Sequence, residues 1–203
     1  MTKLGWGILT LIVVAVAGFM SLIEPHRPGR APAPTVRAPA ASPRPSATPT
    51  PVAAIAGKLL VPVAGVARTA LRSSWGEPRG DGTRGHQGLD IMASQGTPVL
   101  AAADGRIEKL FQSKLGGTTL YQRSADGTWE YYYAHLSGYA PGLAEGQAVR
   151  AGQVIAFVGD TGDAGPGNYH LHFGVSRMPP GAGWWQGEPL DPYPFLAVSP
   201  ASR

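Results

Sequence analysis

The sequence predicts an all-β fold, a small antiparallel sheet folded on itself over residues 58–198, behind an N-terminal apolar helix and a disordered linker. Three observations predict it. From Lys58 onward short apolar runs are punctuated by glycine, two Asp-Gly pairs stand between such runs, and no stretch sustains a helical period with caps. At 203 residues the chain has room for one ordinary domain with appendages.

Residues 4–23 form an apolar run without a charged side chain. At helical rise that length covers about 30 Å, enough to cross the hydrocarbon of a bilayer. Residues 1–24 therefore read as a transmembrane anchor, with a cleaved signal peptide as the competing reading because Ala15-Val16-Ala17 offers a small-x-small cleavage site. Continuation of the run past Ala17 to Ile23 favours the anchor. Arg27, Arg30 and Arg37 lie just beyond the run and outnumber Lys3 plus the amino terminus, which the positive-inside rule counts against export. The chemistry of the domain outweighs that count. The expected location is the cell envelope, with the domain outside the cytoplasm on a single-pass anchor, or secreted if the small-x-small site is cut. The absence of cysteine shows only that no disulfide is used.

Residues 25–57 read as a tether, with nine prolines between Pro25 and Pro51 among Ala, Ser, Thr and Arg. Such a composition buries too little apolar surface to offset its ordering entropy. In polyproline geometry, at about 3.1 Å per residue, it reaches on the order of 90 Å. Charge is distributed accordingly: residues 1–57 hold five Lys/Arg against one acid, while the remainder holds twelve against twelve. A nucleic-acid binder carries its positive charge on the folded face that meets phosphate, so that class is set aside.

Within the domain, residues 97–103 and 106–111 flank Asp104-Gly105 as a predicted hairpin, and residues 120–123 and 128–136 flank Asp126-Gly127 in the same manner. Val149, residues 154–158 and residues 171–176 supply further strands. Against this grammar, four of the five histidines fall in three separated patches: HQGLD at His86–Asp90, YAHL at Tyr133–Leu136 and HLHFG at His170–Gly174. Imidazole and carboxylate are the usual ligands of a borderline cation such as zinc, whose catalytic sites keep three protein ligands and one open position. His86, Asp90 and one of His170 and His172 supply that number.

The strand period puts His170 and His172 on one face with Leu171 on the other. His86 and Asp90, four residues apart, would stand about 13 Å apart in an extended strand, so chelation needs a bend that Gly88 permits. Trp129, Tyr131, Tyr133 and His135 share one face if their strand is regular; there His135, taken alone, reads as a packed strand histidine hydrogen-bonded to a neighbour, and Tyr133 as a core aromatic or a liner of the site. Asp160 and Asp163 read as solvated turn residues or a rim of the cleft. Trp184 and Trp185 read as packing over the sheet or as stacking on sugar.

Taken in order and spacing, these patches resemble the lysostaphin/LytM-type zinc metallopeptidases, which cleave peptide bridges of bacterial peptidoglycan. The resemblance covers roughly residues 58–178 and includes HQGLDIMASQGTPVLAAADGRI, YAHL, GQAVRAGQVIAFVGDTG and HLHFGV. It implies a small antiparallel domain with a long narrow groove, Zn2+ as cofactor, His86, Asp90 and His172 as metal ligands, and His135 and His170 as an unliganded catalytic pair. It further implies a peptidoglycan peptide as substrate and leaves room for an activating protein partner. Gly174, where many members carry Glu, and the long approach DTGDAGPGNY depart from the usual pattern beside the ligands and bear on substrate fit. No HExxH glutamate is present, so proton handling falls to histidine, with the order of His135 and His170 open. The alternative function is a non-catalytic or autoinhibited domain of this type that binds the wall and regulates another hydrolase.

Overall fold

The computed structural model describes residues 58–80 and 82–196. Its strands are β1 (Pro78–Arg79), β2 (Arg84–Gly85), β3 (Leu89–Met92), β4 (Pro98–Leu100), β5 (Gly105–Ser113), β6 (Gly117–Ser124), β7 (Trp129–Tyr139), β8 (Ala148–Val149), β9 (Val154–Val158), β10 (His170–Arg177) and β11 (Glu188–Leu190). β1 and β2 form a separate small hairpin. The other nine make one sheet in the order β11-β10-β7-β6-β5-β8, with β3 also on β10 and β9 joining β7 to β4. Every pairing is antiparallel, as the glycine-punctuated grammar predicts.

Alternation along β7 and β10 builds a core on one face and a groove on the other. Leu171, Phe173 and Val175 of β10 pack with Trp129, Tyr131 and Tyr133 of β7 and with Leu89 and Ile91 of β3, all nearly inaccessible to solvent. The intervening residues Glu130, Tyr132, His172, Gly174 and Ser176 line the groove. Burying a large apolar side chain contributes roughly 1.5–3 kcal/mol, so the register that sends Leu171 and Phe173 inward also fixes His172 outward.

The Asp126-Gly127 hairpin forms as predicted, with Arg123 opposite Glu130 and Gly127 at a φ of +75°. The Asp104-Gly105 hairpin does not. β4 is shorter than the predicted strand and pairs with β9, while β5 pairs with β6 around Lys114–Gly116 and with β8. An Asp-Gly pair is a local cue, and here long-range pairing of β4 with the apolar β9 overrides it.

Tyr133 is a core residue and does not line the groove, which corrects the alternative that placed it in the site. It is fully buried; its O–H donates to Gln122 Oε1 at 2.6 Å and accepts from the Ala102 N–H at 2.9 Å. Tyr133→Phe strands both partners in the core and is expected to cost about 1–3 kcal/mol. That cost is read as a lower urea midpoint with an unchanged slope.

The apolar run 4–23, the linker and the last residues of the predicted domain lie outside the described residues. Among the described residues no helix is long and apolar enough to cross a membrane.

Candidate metal centre

Antiparallel register brings two of the three predicted ligands together directly. His172 of β10 stands opposite Asp90 of β3, with Leu171 opposite Ile91 and Phe173 opposite Leu89 in the core beneath them. His86 arrives from β2 through the bend at Gln87-Gly88, its backbone held by hydrogen bonds from its N–H to the Glu77 carbonyl and from the Gly76 N–H to its own carbonyl, both 2.8 Å. Asp90 Oδ1 lies 3.1 Å from both His86 Nε2 and His172 Nδ1, and the two nitrogens are 2.8 Å apart.

Ser74 orients two members at once. Its carbonyl accepts from His86 Nδ1–H at 2.7 Å, which leaves the Nε2 lone pair facing the cluster, and its Oγ accepts from the Asp90 N–H at 3.2 Å. The bend itself depends on glycine, because a Cβ on Gly88 would stand 2.4 Å from His172 Cε1 and 2.5 Å from Nε2. Gly88→Ala therefore displaces chiefly the imidazole, with the Phe173 carbonyl, 3.0 Å from that Cβ, yielding slightly. The variant is expected to keep its fold and lose zinc affinity by roughly 10- to 100-fold, measured in competition with a chromophoric chelator.

The donor set fits zinc. Ligands held tetrahedrally at about 2.0–2.1 Å stand roughly 3.3 Å apart, close to the spacing of this triangle, and two nitrogens with one oxygen leave a position open. The protonation states also fit. Burial pushes the Asp90 carboxyl up, but the His172 and His86 imidazoles beside it prevail and hold it below the usual carboxylate range. Burial holds His172 below the ordinary imidazole value against the upward pull of Asp90. A cation needs an ionised carboxylate and a neutral imidazole.

Two further histidines face the same space without joining the triangle. The His135 and His170 rings lie 4.8 Å apart by centroid, and His170 Nε2 is 3.8 Å from Asp90 Oδ1. Each donates its Nδ1–H to a backbone carbonyl at 2.8 Å, His135 to Thr161 and His170 to Asn168, so each presents Nε2 as an acceptor. Burial lowers the His135 pKa, opposed by the bond to Thr161. His135 also corrects the regular-strand expectation. At a φ of +61°, alone among the described non-glycine residues in being positive, it turns out of the Trp129-Tyr131-Tyr133 face and into the groove, where the pairing of β7 with β6 shifts register.

The groove has a volume of about 880 Å³ and runs from Arg79 and Arg84 past the histidines to Trp184 and Trp185. Trp184 packs on Tyr121 and Phe111 at centroid distances of 4.7 and 5.2 Å, while Trp185 is 67 % exposed. Asp163 stands on the rim, 3.6 Å from Arg84, and Asp160 accepts from the Gly167 N–H at 2.8 Å. Sequence reasoning missed Ser74, Arg79, Tyr132 and Thr161. Thr161 fixes His135 through its carbonyl while its hydroxyl donates to the Leu136 carbonyl. Only Tyr132 left a signal, as the alternation partner of Tyr131 and Tyr133; the rest act through long-range contacts that no local pattern encodes.

An antiparallel sheet whose groove holds a two-histidine, one-aspartate triangle beside two unliganded histidines defines a metallopeptidase architecture. Residues 84–192, more than half of the chain, match the model of peptidase family M23, and the chain belongs to that family. The L-Ala--D-Glu endopeptidase of Bacillus subtilis is 39% identical over 131 residues, 62% of this chain and 39% of that protein. The DD-carboxypeptidase/endopeptidase Mpg of Neisseria meningitidis is 48% identical over 118 residues, 57% of this chain and 24% of that protein. Among solved structures, the catalytic domain of lysostaphin from Staphylococcus simulans superposes with a TM-score of 0.53 at 29% identity, over 64% of this chain and 96% of that one. The chain thus spans well under half the length of these two curated relatives, and almost the whole of the lysostaphin catalytic domain.

Proposed function

We propose that this chain is a zinc-dependent endopeptidase that hydrolyses peptide cross-bridges or stem peptides of bacterial peptidoglycan. The carrying observation is the triangle of His86, Asp90 and His172 donor atoms, no more than 3.1 Å apart in an open groove. The relatives named as endopeptidases support the peptide substrate, and the groove's volume of about 880 Å³ leaves room for a peptide.

In this proposal His86, Asp90 and His172 hold the zinc. When bound, zinc supplies Lewis acidity and makes water a competent nucleophile near neutral pH. His135 and His170 handle the protons. With Nδ1–H committed to a carbonyl, the Nε2 lone pair of one takes the proton of the attacking water, while the other, protonated at Nε2, donates to the developing oxyanion or to the leaving amine. The walls of β7 and β10 orient the peptide along the groove. Residues 58–198 form the catalytic domain, and residues 1–24 with the 25–57 tether hold it at the outer face of the cytoplasmic membrane. The filled donor set and both spare histidines favour catalysis over a purely regulatory role.

The test is to incubate the zinc-loaded chain with intact peptidoglycan, with and without chelator, and to identify the released ends by mass spectrometry. Paired new amino and carboxyl termini that vanish with chelator are expected, and they also identify the bond cut. New sugar reducing ends, or release indifferent to chelator, would overturn the proposal.

A further inference from the structure

Asp90 has two carboxylate oxygens, and the structure treats them differently. Oδ1 faces His86 Nε2 and His172 Nδ1, while Oδ2 accepts a hydrogen bond from Arg79 Nη2 at 2.7 Å. Arg79 is itself well placed. It sits on β1, paired with Arg84 of β2, and the same hairpin leads into His86, whose backbone is bonded to residues 76 and 77. Its other terminal nitrogen, Nη1, lies 3.3 Å from Glu77 Oε2. The guanidinium is thus tied to the segment that delivers one ligand while it grips the spare oxygen of another.

We propose that Arg79 is a positioning residue that holds Asp90 to a single-oxygen contact and so preserves the open coordination position of the zinc centre. The inference rests on the zinc reading above. A carboxylate can give one oxygen or two to a cation, and with two histidines a two-oxygen Asp90 takes four positions before water binds. The ion then becomes five-coordinate, and the position a substrate carbonyl would enter is crowded. A catalytic zinc has to keep one position for water or substrate. Nothing else among the described contacts restrains Oδ2: the neighbouring Ser74 Oγ accepts from the Asp90 backbone, and His86, His170 and His172 all approach Oδ1. With the guanidinium removed, Oδ2 is free to turn onto the ion already held by Oδ1.

This assigns Arg79 an effect opposite to that of a ligand. Loss of a ligand weakens metal binding, whereas loss of Arg79 leaves binding equal or tighter and slows turnover. Outer-sphere partners of metal ligands typically change activity by 10- to 100-fold, and a fall of about that size in kcat is expected for Arg79→Met. Arg79→Lys keeps the charge but not the planar fork, and recovers part of the loss.

The test substitutes cobalt(II) for zinc in the full-length chain and compares visible spectra of the wild type, Arg79→Met and Arg79→Lys, alongside metal affinities from chelator competition and thermal melts. The wild type is expected to show the intense visible bands of a four-coordinate ion. Arg79→Met is expected to show the weaker bands of a five-coordinate ion, with affinity undiminished and Arg79→Lys between the two. Identical spectra in wild type and Arg79→Met, or a tenfold loss of metal affinity in Arg79→Met with its melt unchanged, would overturn the role of Arg79 alone. Failure of the wild type to take up cobalt or zinc would instead sink the metal reading on which it rests. If Arg79→Met melts early, the spectrum of Arg79→Lys decides by the same criteria.

Discussion

His172→Ala is expected to leave a folded protein that no longer retains zinc and no longer cuts peptidoglycan. The core beneath the residue belongs to Leu171 and Phe173, which the substitution leaves in place, so circular dichroism and the thermal midpoint should match those of the metal-free wild type. The triangle, however, loses one corner, and Asp90 loses the neighbouring imidazole that favours its ionised form. Metal-ion catalysis supplies several kcal/mol of transition-state stabilisation, and about 1.4 kcal/mol is tenfold in rate. The expected fall in kcat/KM is therefore roughly a thousandfold or more, with zinc content after dialysis close to zero. Full zinc occupancy in this variant would remove His172 from the ligand set.

His135→Ala and His170→Ala are expected to separate metal binding from chemistry. Neither ring is part of the donor triangle, so both variants should retain zinc in full. Each removes an Nε2 that is aimed into the groove by a hydrogen bond from Nδ1–H, and general acid–base catalysis contributes about hundred- to ten-thousandfold. The loss should appear in kcat with KM little changed, as expected of an interaction made in the transition state. His135 needs a control, because its φ of +61° is a conformation few side chains adopt. Asn tolerates that region, so His135→Asn should lose as much activity as His135→Ala. Recovery of activity with Asn would assign the loss to backbone strain rather than to the missing base.

Much of the fold was legible because burial and the strand period agree. The HLH pair could be placed on one face from spacing alone, since Leu171 had to go inward, and the Asp126-Gly127 hairpin followed from its turn chemistry. What escaped the sequence was non-local. β4 leaves the expected hairpin for β9, and β7 breaks its own alternation at His135, where Thr161, Gly116 and the register shift against β6 hold the backbone in a left-handed conformation. Regular alternation would have carried His135 into the core beside Tyr133; the break lets it reach the groove. The supporting contacts of Ser74 and Arg79 were invisible for the same reason. Their partners lie 11 to 16 residues away in the chain and meet only once the small hairpin has folded over β3.

Crystals of the zinc-loaded chain, measured at the zinc absorption edge, provide the most direct test of the central claim. A single anomalous peak bounded by His86 Nε2, His172 Nδ1 and Asp90 Oδ1, with His135 and His170 outside ligand distance, is the predicted result. A peak coordinated by His135 or His170, or zinc bound elsewhere on the protein, would contradict the account.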